Sequence, residues 1–146
     1  MKQIAKDLTI RRRVGVELVE TFQYAYDRSQ EFFLQYGLTS KQYNILSILN
    51  STEGPVSTSA ILKLMVEKNA GVSRLVDRLI SKKWVKKTTN STDKRLIDIQ
   101  LTKEGRALYD IVTTNLHEVD KVYDGLTDEE ALQFCLLLKK VRKPIP

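Results

Sequence analysis

A predicted hairpin in the middle of the chain limits the folds that the rest can adopt. Residues 84–89 read WVKKTT and residues 96–101 read LIDIQL, and both are typical of short strands. The six residues between them, NSTDKR, form a polar, turn-prone run. The tip carries Asp93, Lys94 and Arg95, although Asn-Gly would make a tighter turn. The sequence therefore predicts a two-stranded hairpin whose tip extends an arginine rather than closing tightly.

Helical patterns occupy the chain on both sides of this hairpin. Thr39-x-x-Gln42 and Thr127-x-x-Glu130 fit capping boxes that open helices, and Gly37 is a plausible stop for a long first helix. The expected helices cover about residues 6–35, 39 to the loop at 51–55, Ser57 or Ser59 through Met65, about 68–83, about 102–123, and 127 to about 142.

Apolar residues at helical spacing predict which helix faces are buried. The last helix differs, because its middle, ALQFCLLLKKV, is apolar around most of its circumference and needs cover on more than one face. A second copy of the chain is the expected cover. The positions predicted to face the core are Ile61, Leu62 and Met65 in the third helix, Val72, Leu75, Val76, Leu79 and Ile80 in the fourth, and Leu108, Ile111, Val112, Leu116 and Val119 in the fifth.

The order of elements predicts a fold class. Three short helices followed by a two-stranded wing describe a winged helix-turn-helix. The expected fold is therefore mainly α with a small β-hairpin wing, flanked by long dimerisation helices. Residues 38–102 would form the DNA-binding domain, and residues 1–37 and 103–146 would form the helical dimerisation region.

Positive charge is concentrated in the same middle segment. The 146 residues carry a net charge of +6, but Ser57–Arg106 contains 12 Lys or Arg against 5 Asp or Glu. The remaining residues contain 12 against 13, so all the excess positive charge lies around the third and fourth helices and the hairpin. This distribution favours a polyanionic partner such as nucleic acid, although a basic surface that serves only solubility is the alternative.

Other classes of function have little support in the residues. The sequence contains one Cys and one His, which argues against a zinc site or a Cys-His nucleophile pair within one subunit. Neither a hydrolase motif nor a phosphate-loop motif occurs. We therefore expect no catalytic residue, metal or cofactor, and an enzyme is the weakest hypothesis. The chain has neither an apolar run of membrane-spanning length nor the apolar core of a signal peptide, so a cytoplasmic protein is expected.

The candidate DNA-binding residues lie on the fourth helix and at the hairpin tip. Outward-facing Arg74 can pair with guanine or phosphate, and Arg95 can extend into a narrow minor groove. Asp93 can accept hydrogen bonds from the tip backbone or from Arg95, which would hold the guanidinium in place. An ordinary solvated helix face and a solubilising turn explain the same residues individually. The candidates are Asn69, Ala70, Ser73, Arg74, Arg78, Asp93, Lys94 and Arg95.

From about residue 38 to residue 105 the chain resembles the MarR (multiple antibiotic resistance regulator) family of bacterial transcription regulators. The resemblance rests on LTSKQYNILSIL, VSRLVDRLISKKWVKK and the wing signature DKRLIDIQLTKEG. It implies a homodimeric regulator, usually a repressor, that binds near-palindromic operators and releases them when a small aromatic ligand binds. Ser73 and Arg74 match recognition-helix contacts of the family, and Asp93 and Arg95 match its wing pair. The alternative is a winged-helix protein-interaction module that does not bind DNA.

Several residues depart from the family pattern or have open roles. Lys83 stands where many members have Gly, so the exit of the fourth helix must strain a left-handed residue or take another route. Trp84 is expected to be a packing anchor, with ligand stacking as the alternative, and Cys135 is expected to be a buried apolar residue. The aromatics proposed to line an effector pocket, with core or dimer packing as the alternative, are Phe22, Tyr26 and Tyr43.

Overall fold

The computed structural model describes residues 9–65, 71–90, 92–95 and 97–143. Seven α-helices and one two-stranded antiparallel sheet occupy these residues. Their order matches the prediction except that two helices replace the single one predicted over residues 102–123. The elements are α1 Ile10–Leu34, α2 Ser40–Ser51, α3 Thr58–Leu64, α4 Val72–Ser81, β1 Val85–Thr89, β2 Ile97–Leu101, α5 Lys103–Thr114, α6 His117–Asp120 and α7 Asp128–Val141, with a 3₁₀ turn at Lys121–Tyr123.

Side-chain caps set most helix starts. The predicted capping boxes of Thr39 with Gln42 and of Thr127 with Glu130 are both present, and Ser57 is the cap of α3. Thr9 accepts a hydrogen bond from the Arg12 backbone N–H, so α1 begins at Ile10; the start expected at Lys6 lies outside the described residues. These hydroxyls satisfy backbone N–H groups that have no partner within the helix.

The predicted continuous helix over residues 102–123 is wrong. It breaks after Thr114, and α6 begins at His117. The cause is local, because polar side chains at this point bond to carbonyls one turn back. The Thr113 and Thr114 hydroxyls donate to the carbonyls of Tyr109 and Asp110, and the Asn115 amide donates to that of Ile111. Such bonds compete with the helical pattern and bend the helix.

One core joins the three short helices, the hairpin and the end of α1. Strand β1 pairs with β2 from Val85 opposite Leu101 to Thr89 opposite Ile97. Val56 adds a single antiparallel bridge to Ile99, on the edge of β2 that does not pair with β1. The buried apolar residues are Phe32, Phe33, Leu38, Ile45, Leu46, Ile48, Leu49, Val56, Ile61, Met65, Val72, Val76, Leu79, Val85, Ile99 and Val112.

Three positions predicted to be buried are exposed. Leu62 is 36% exposed and Ile111 is 55% exposed, since each lies at the edge of its apolar stripe. Cys135 is exposed as well, because it lies on a face of α7 that no other residue in the described part of the chain covers. None of the helices in the described part of the chain combines the length and the hydropathy that a membrane span requires.

Candidate nucleic-acid interface

The fourth helix presents a polar face to solvent. Val76 and Leu79 are fully buried beneath it, while Ser73, Arg74 and Arg78 are exposed. The helix starts after Gly71, whose φ of +61° is in the left-handed region that glycine adopts readily. Asn69 and Ala70, also predicted to face DNA, lie outside the described residues.

At the tip of the hairpin, the Arg95 side chain is hydrogen-bonded to the Asp93 carboxylate. One Asp93 carboxylate oxygen accepts from the Arg95 backbone N–H at 3.0 Å and from its Nε at 3.1 Å. The other oxygen accepts from a terminal guanidinium nitrogen at 3.3 Å. The predicted contact between these residues is thus confirmed. Side-chain and backbone hydrogen bonds from Arg95 lower the pKa of Asp93 below its ordinary value, so the carboxylate is ionised at neutral pH.

This clamp leaves Arg95 free to reach outward. The Arg95 side chain is 90% exposed, whereas that of Asp93 is 38% exposed. Lys94, between them, is also exposed. A guanidinium that is bonded on one edge and open to solvent on the other retains donors for an external acceptor.

Asn90 organises the tip from the strand end, a role that the sequence analysis missed. Its side-chain oxygen accepts from the backbone N–H groups of Thr92 and Asp93 at 2.9 and 2.8 Å. Its amide nitrogen donates to both carboxylate oxygens of Asp98, at 3.1 and 3.0 Å. An Asn at the start of a polar run commonly makes such an Asx turn, so residue type and position could have revealed it.

The base of the wing is closed by the Thr and Gly of the L-T-x-x-G sequence. The Thr102 hydroxyl donates to the carbonyl of Lys83 at 2.7 Å and accepts from the backbone N–H of Gly105 at 3.0 Å. A Cβ at Gly105 would lie 1.8 Å from the carbonyl oxygen of Trp84. Only glycine therefore lets α5 pack this closely on the start of β1.

The chain leaves α4 through a strained residue. Lys83 has a φ of +61°, and its N–H and that of Trp84 bond to the carbonyls of Ile80 and Leu79 at 2.8 and 3.0 Å. This is a Schellman motif, which normally has glycine at the left-handed position. Of the two routes expected here, the strained one is therefore present. Trp84 is partly buried against the core, with the Lys82 Nζ 4.7 Å from its ring centroid.

The three effector candidates fall into two groups. Phe22 and Tyr26 stack on α1 with ring centroids 5.8 Å apart, and Phe22 is exposed. Tyr43 instead stacks between Phe33 and Tyr109, and burial raises the pKa of its phenol above the ordinary value. Within the described part of the chain, no ring contact joins the two groups.

A long apolar groove runs between α1 and α7 in the protomer. It has a volume of about 550 Å³, and its lining includes Leu137 of α7, which is more than half exposed. Its lining comes mostly from the N-terminal half of α1 and the C-terminal half of α7. The lining residues are Ile10, Arg13, Val14, Glu17, Leu18, Thr21, Phe134, Leu137, Leu138, Lys140 and Val141.

An exposed basic helix face beside a wing with an arginine at its tip defines a winged helix-turn-helix DNA-binding transcription regulator. The chain belongs to the MarR family, whose family model matches residues 36–96. The HTH-type transcriptional repressor MdtR of Bacillus subtilis is 30% identical over 129 residues, which cover 88% of this chain and 83% of MdtR.

Two solved structures have the same fold. A mutant of E. coli MarR complexed with operator DNA has a TM-score of 0.78 at 23% identity, covering 90% of this chain and 94% of that one. Bordetella bronchiseptica BpsR, whose DNA binding is regulated by 6-hydroxynicotinic acid, has a TM-score of 0.80 at 23% identity, covering 94% and 99%. These two structures confirm the winged-helix fold. The family match and the relationship to a transcriptional repressor favour the DNA-binding regulator over the protein-interaction module.

Proposed function

We propose that the protein is a homodimeric cytoplasmic repressor that binds near-palindromic double-stranded DNA and is released from it by a small aromatic ligand. The observation that carries DNA binding is Arg95, held by Asp93 at the wing tip yet 90% exposed. Residues 38–102 would form the DNA-binding domain, and residues 1–37 and 103–146 the dimerisation region. Catalysis has no part in the proposal, since the relatives described above are transcription regulators.

In this proposal the two exposed basic elements read different grooves of one duplex. The N-terminal part of α4 enters the major groove, where Arg74 pairs with a guanine edge or a phosphate and Ser73 donates or accepts a hydrogen bond. Arg78 and Lys94 neutralise phosphates. Arg95 enters the minor groove, whose negative potential is greatest where AT-rich segments narrow it. Asn69 and Ala70 belong to the same proposed surface.

The proposed dimerisation is supported by the apolar surface that the described residues leave uncovered. Leu132, Leu136 and Val141 of α7 are more than half exposed, beside the groove formed with α1. Such a continuous apolar surface is typical of an interface between subunits. A symmetric pair of protomers would also place two recognition helices for the two halves of a near-palindromic site.

We propose an aromatic ligand because the candidate effector-binding residues are aromatic, and aromatic side chains stack on flat rings. On α1, exposed Phe22 and its half-buried neighbour Tyr26 can stack on a flat ring, and Tyr43 lies where α1, α2 and α5 meet. BpsR provides a precedent, since its DNA binding is regulated by 6-hydroxynicotinic acid. In this proposal, a ligand at either group acts by favouring a protomer arrangement that no longer fits the operator.

The test is binding to a fluorescent duplex from the promoter of the protein's own gene. We expect saturable binding by the wild type and at least about fivefold weaker binding by Arg95→Ala, because a dimer loses two charge-assisted contacts. Arg28→Ala is the matched control. It removes the same charge from an exposed residue of α1, where Arg28 pairs with Glu31.

Equal loss of affinity in the two variants would show that net charge alone matters and would contradict the wing contact. Failure of the wild type to prefer the promoter duplex over a scrambled duplex of the same length would contradict sequence-specific binding altogether.

A further inference from the structure

An ion pair joins the recognition helix to the wing. The Nζ of Lys87, in β1, lies 2.7 Å from a carboxylate oxygen of Asp77, in α4. Asp77 belongs to the exposed face of α4, one residue before Arg78. A carboxylate on a face that meets DNA phosphates is unfavourable by itself, so its presence calls for a compensating role.

The hairpin register explains why Lys87 reaches this position. Alternate side chains of a strand share a face, so Lys87 is on the same side as the buried Val85. It lies directly opposite Ile99, which is also buried. Lys87 is therefore the next residue outward from the core on the face that packs against α4. Its stem is held there while its ammonium group extends past the core edge to Asp77.

A second anchor point would fix the direction of the wing. The first is the base, where Thr102 bonds to the carbonyl of Lys83 and Gly105 contacts Trp84. On the β2 side the hairpin is also held further out, because Val56 and Ile99 exchange backbone hydrogen bonds at 3.1 and 2.9 Å. Strand β1, which packs against α4, could still move relative to that helix if it were held only at the base. The pair of Asp77 and Lys87 lies closer to the tip and therefore opposes this motion.

We propose that Asp77 is a positioning residue for DNA binding: by holding Lys87 it sets the wing against α4, so that Arg95 and Arg74 meet one duplex at a fixed spacing. This inference rests on the proposed DNA binding. Asp77 itself touches no DNA in this account. Asp77 strengthens DNA binding indirectly, through the position of the wing, whereas its negative charge by itself weakens binding.

That opposition provides the test. Asp77→Asn removes a negative charge from the DNA-facing surface, so charge alone predicts tighter binding to the promoter duplex. Positioning predicts binding weaker by about twofold to fivefold, the range of an exposed ion pair. The double variant Asp77→Asn/Lys87→Gln leaves the net charge unchanged, and it should bind about as weakly as Asp77→Asn. Asp110→Asn, an exposed acid on α5, reports the effect of charge loss away from the wing.

A further measurement separates positioning from a general loss of stability. If Asp77 acts through the wing, Arg95→Ala should cost less affinity in the Asp77→Asn background than in the wild type, with the melting temperatures of all variants close together. Tighter binding by Asp77→Asn, or an unchanged cost of Arg95→Ala in both backgrounds, would overturn the inference while leaving DNA binding intact. Failure of the wild type to bind the duplex would overturn the proposed function as well.

Discussion

Replacing Lys83 with glycine should stabilise the protein. Lys83 has a φ of +61°, a conformation that costs a residue with a Cβ roughly 1–2 kcal/mol. Glycine removes this strain but adds about 0.5–1 kcal/mol of backbone entropy to the unfolded chain. The net stabilisation from Lys83→Gly should be about 0.5–1 kcal/mol, which corresponds to a rise in melting temperature of roughly 1–4 °C for a chain of this size. At the base of the wing, Lys83 accepts the Thr102 hydrogen bond through its backbone carbonyl, which glycine retains.

Lys83→Ala is the control for this prediction, because it removes the same charge and side chain but retains the Cβ. The melting temperatures of the three proteins should be compared by circular dichroism at one protein concentration, since dimerisation makes melting temperature depend on concentration. We expect Lys83→Gly to melt above both Lys83→Ala and the wild type. A glycine variant that melts at or below the alanine variant would refute the strain at this position.

Other substitutions test the packing, the wing tip and the subunit interface. Gly105→Ala should lower the free energy of unfolding by at least about 2 kcal/mol in chemical denaturation, because its Cβ would lie 1.8 Å from the carbonyl oxygen of Trp84. Asp93→Ala should weaken duplex binding about twofold to fivefold in anisotropy titrations without lowering the melting temperature, because Arg95 loses its support; tighter binding would indicate that only charge matters. Because the pKa of Asp93 is lowered in the folded protein, its carboxylate should support Arg95 fully at any pH above the ordinary pKa of an aspartate, neutral pH included. The support should be lost only as the pH falls further, through the lowered pKa of Asp93 in the folded protein. Leu136→Glu should convert the dimer to monomer in sedimentation velocity, and an unchanged dimer would place the interface elsewhere.

The features that the sequence predicted correctly are those governed by neighbouring residues. Capping hydroxyls at Thr39 and Thr127 act within one turn, so residue type and spacing suffice to locate the helix starts. The break after Thr114 was missed because the apolar spacing continues through it to Val119. There the hydroxyls and amide that bond to earlier carbonyls outweigh the periodic signal.

The same distinction applies to the candidate site. The contact between Asp93 and Arg95 was predictable, since the residues are two apart and share one turn. The pair of Asp77 and Lys87 was not, because it depends on how the hairpin packs against α4. The exposure of Cys135 was also unpredictable from its apolar neighbours, since none of the other described residues covers that face of α7.

The salt dependence of binding tests the central claim most directly, namely that this basic surface binds double-stranded DNA. Arg74, Arg78 and Lys94 in each protomer give six candidate phosphate contacts in a dimer, and each contributes about −0.9 to the slope of log K against log[salt]. The affinity of the wild type for its promoter duplex should therefore fall with a slope of about −5 between roughly 50 and 200 mM salt. A slope near zero would contradict the account.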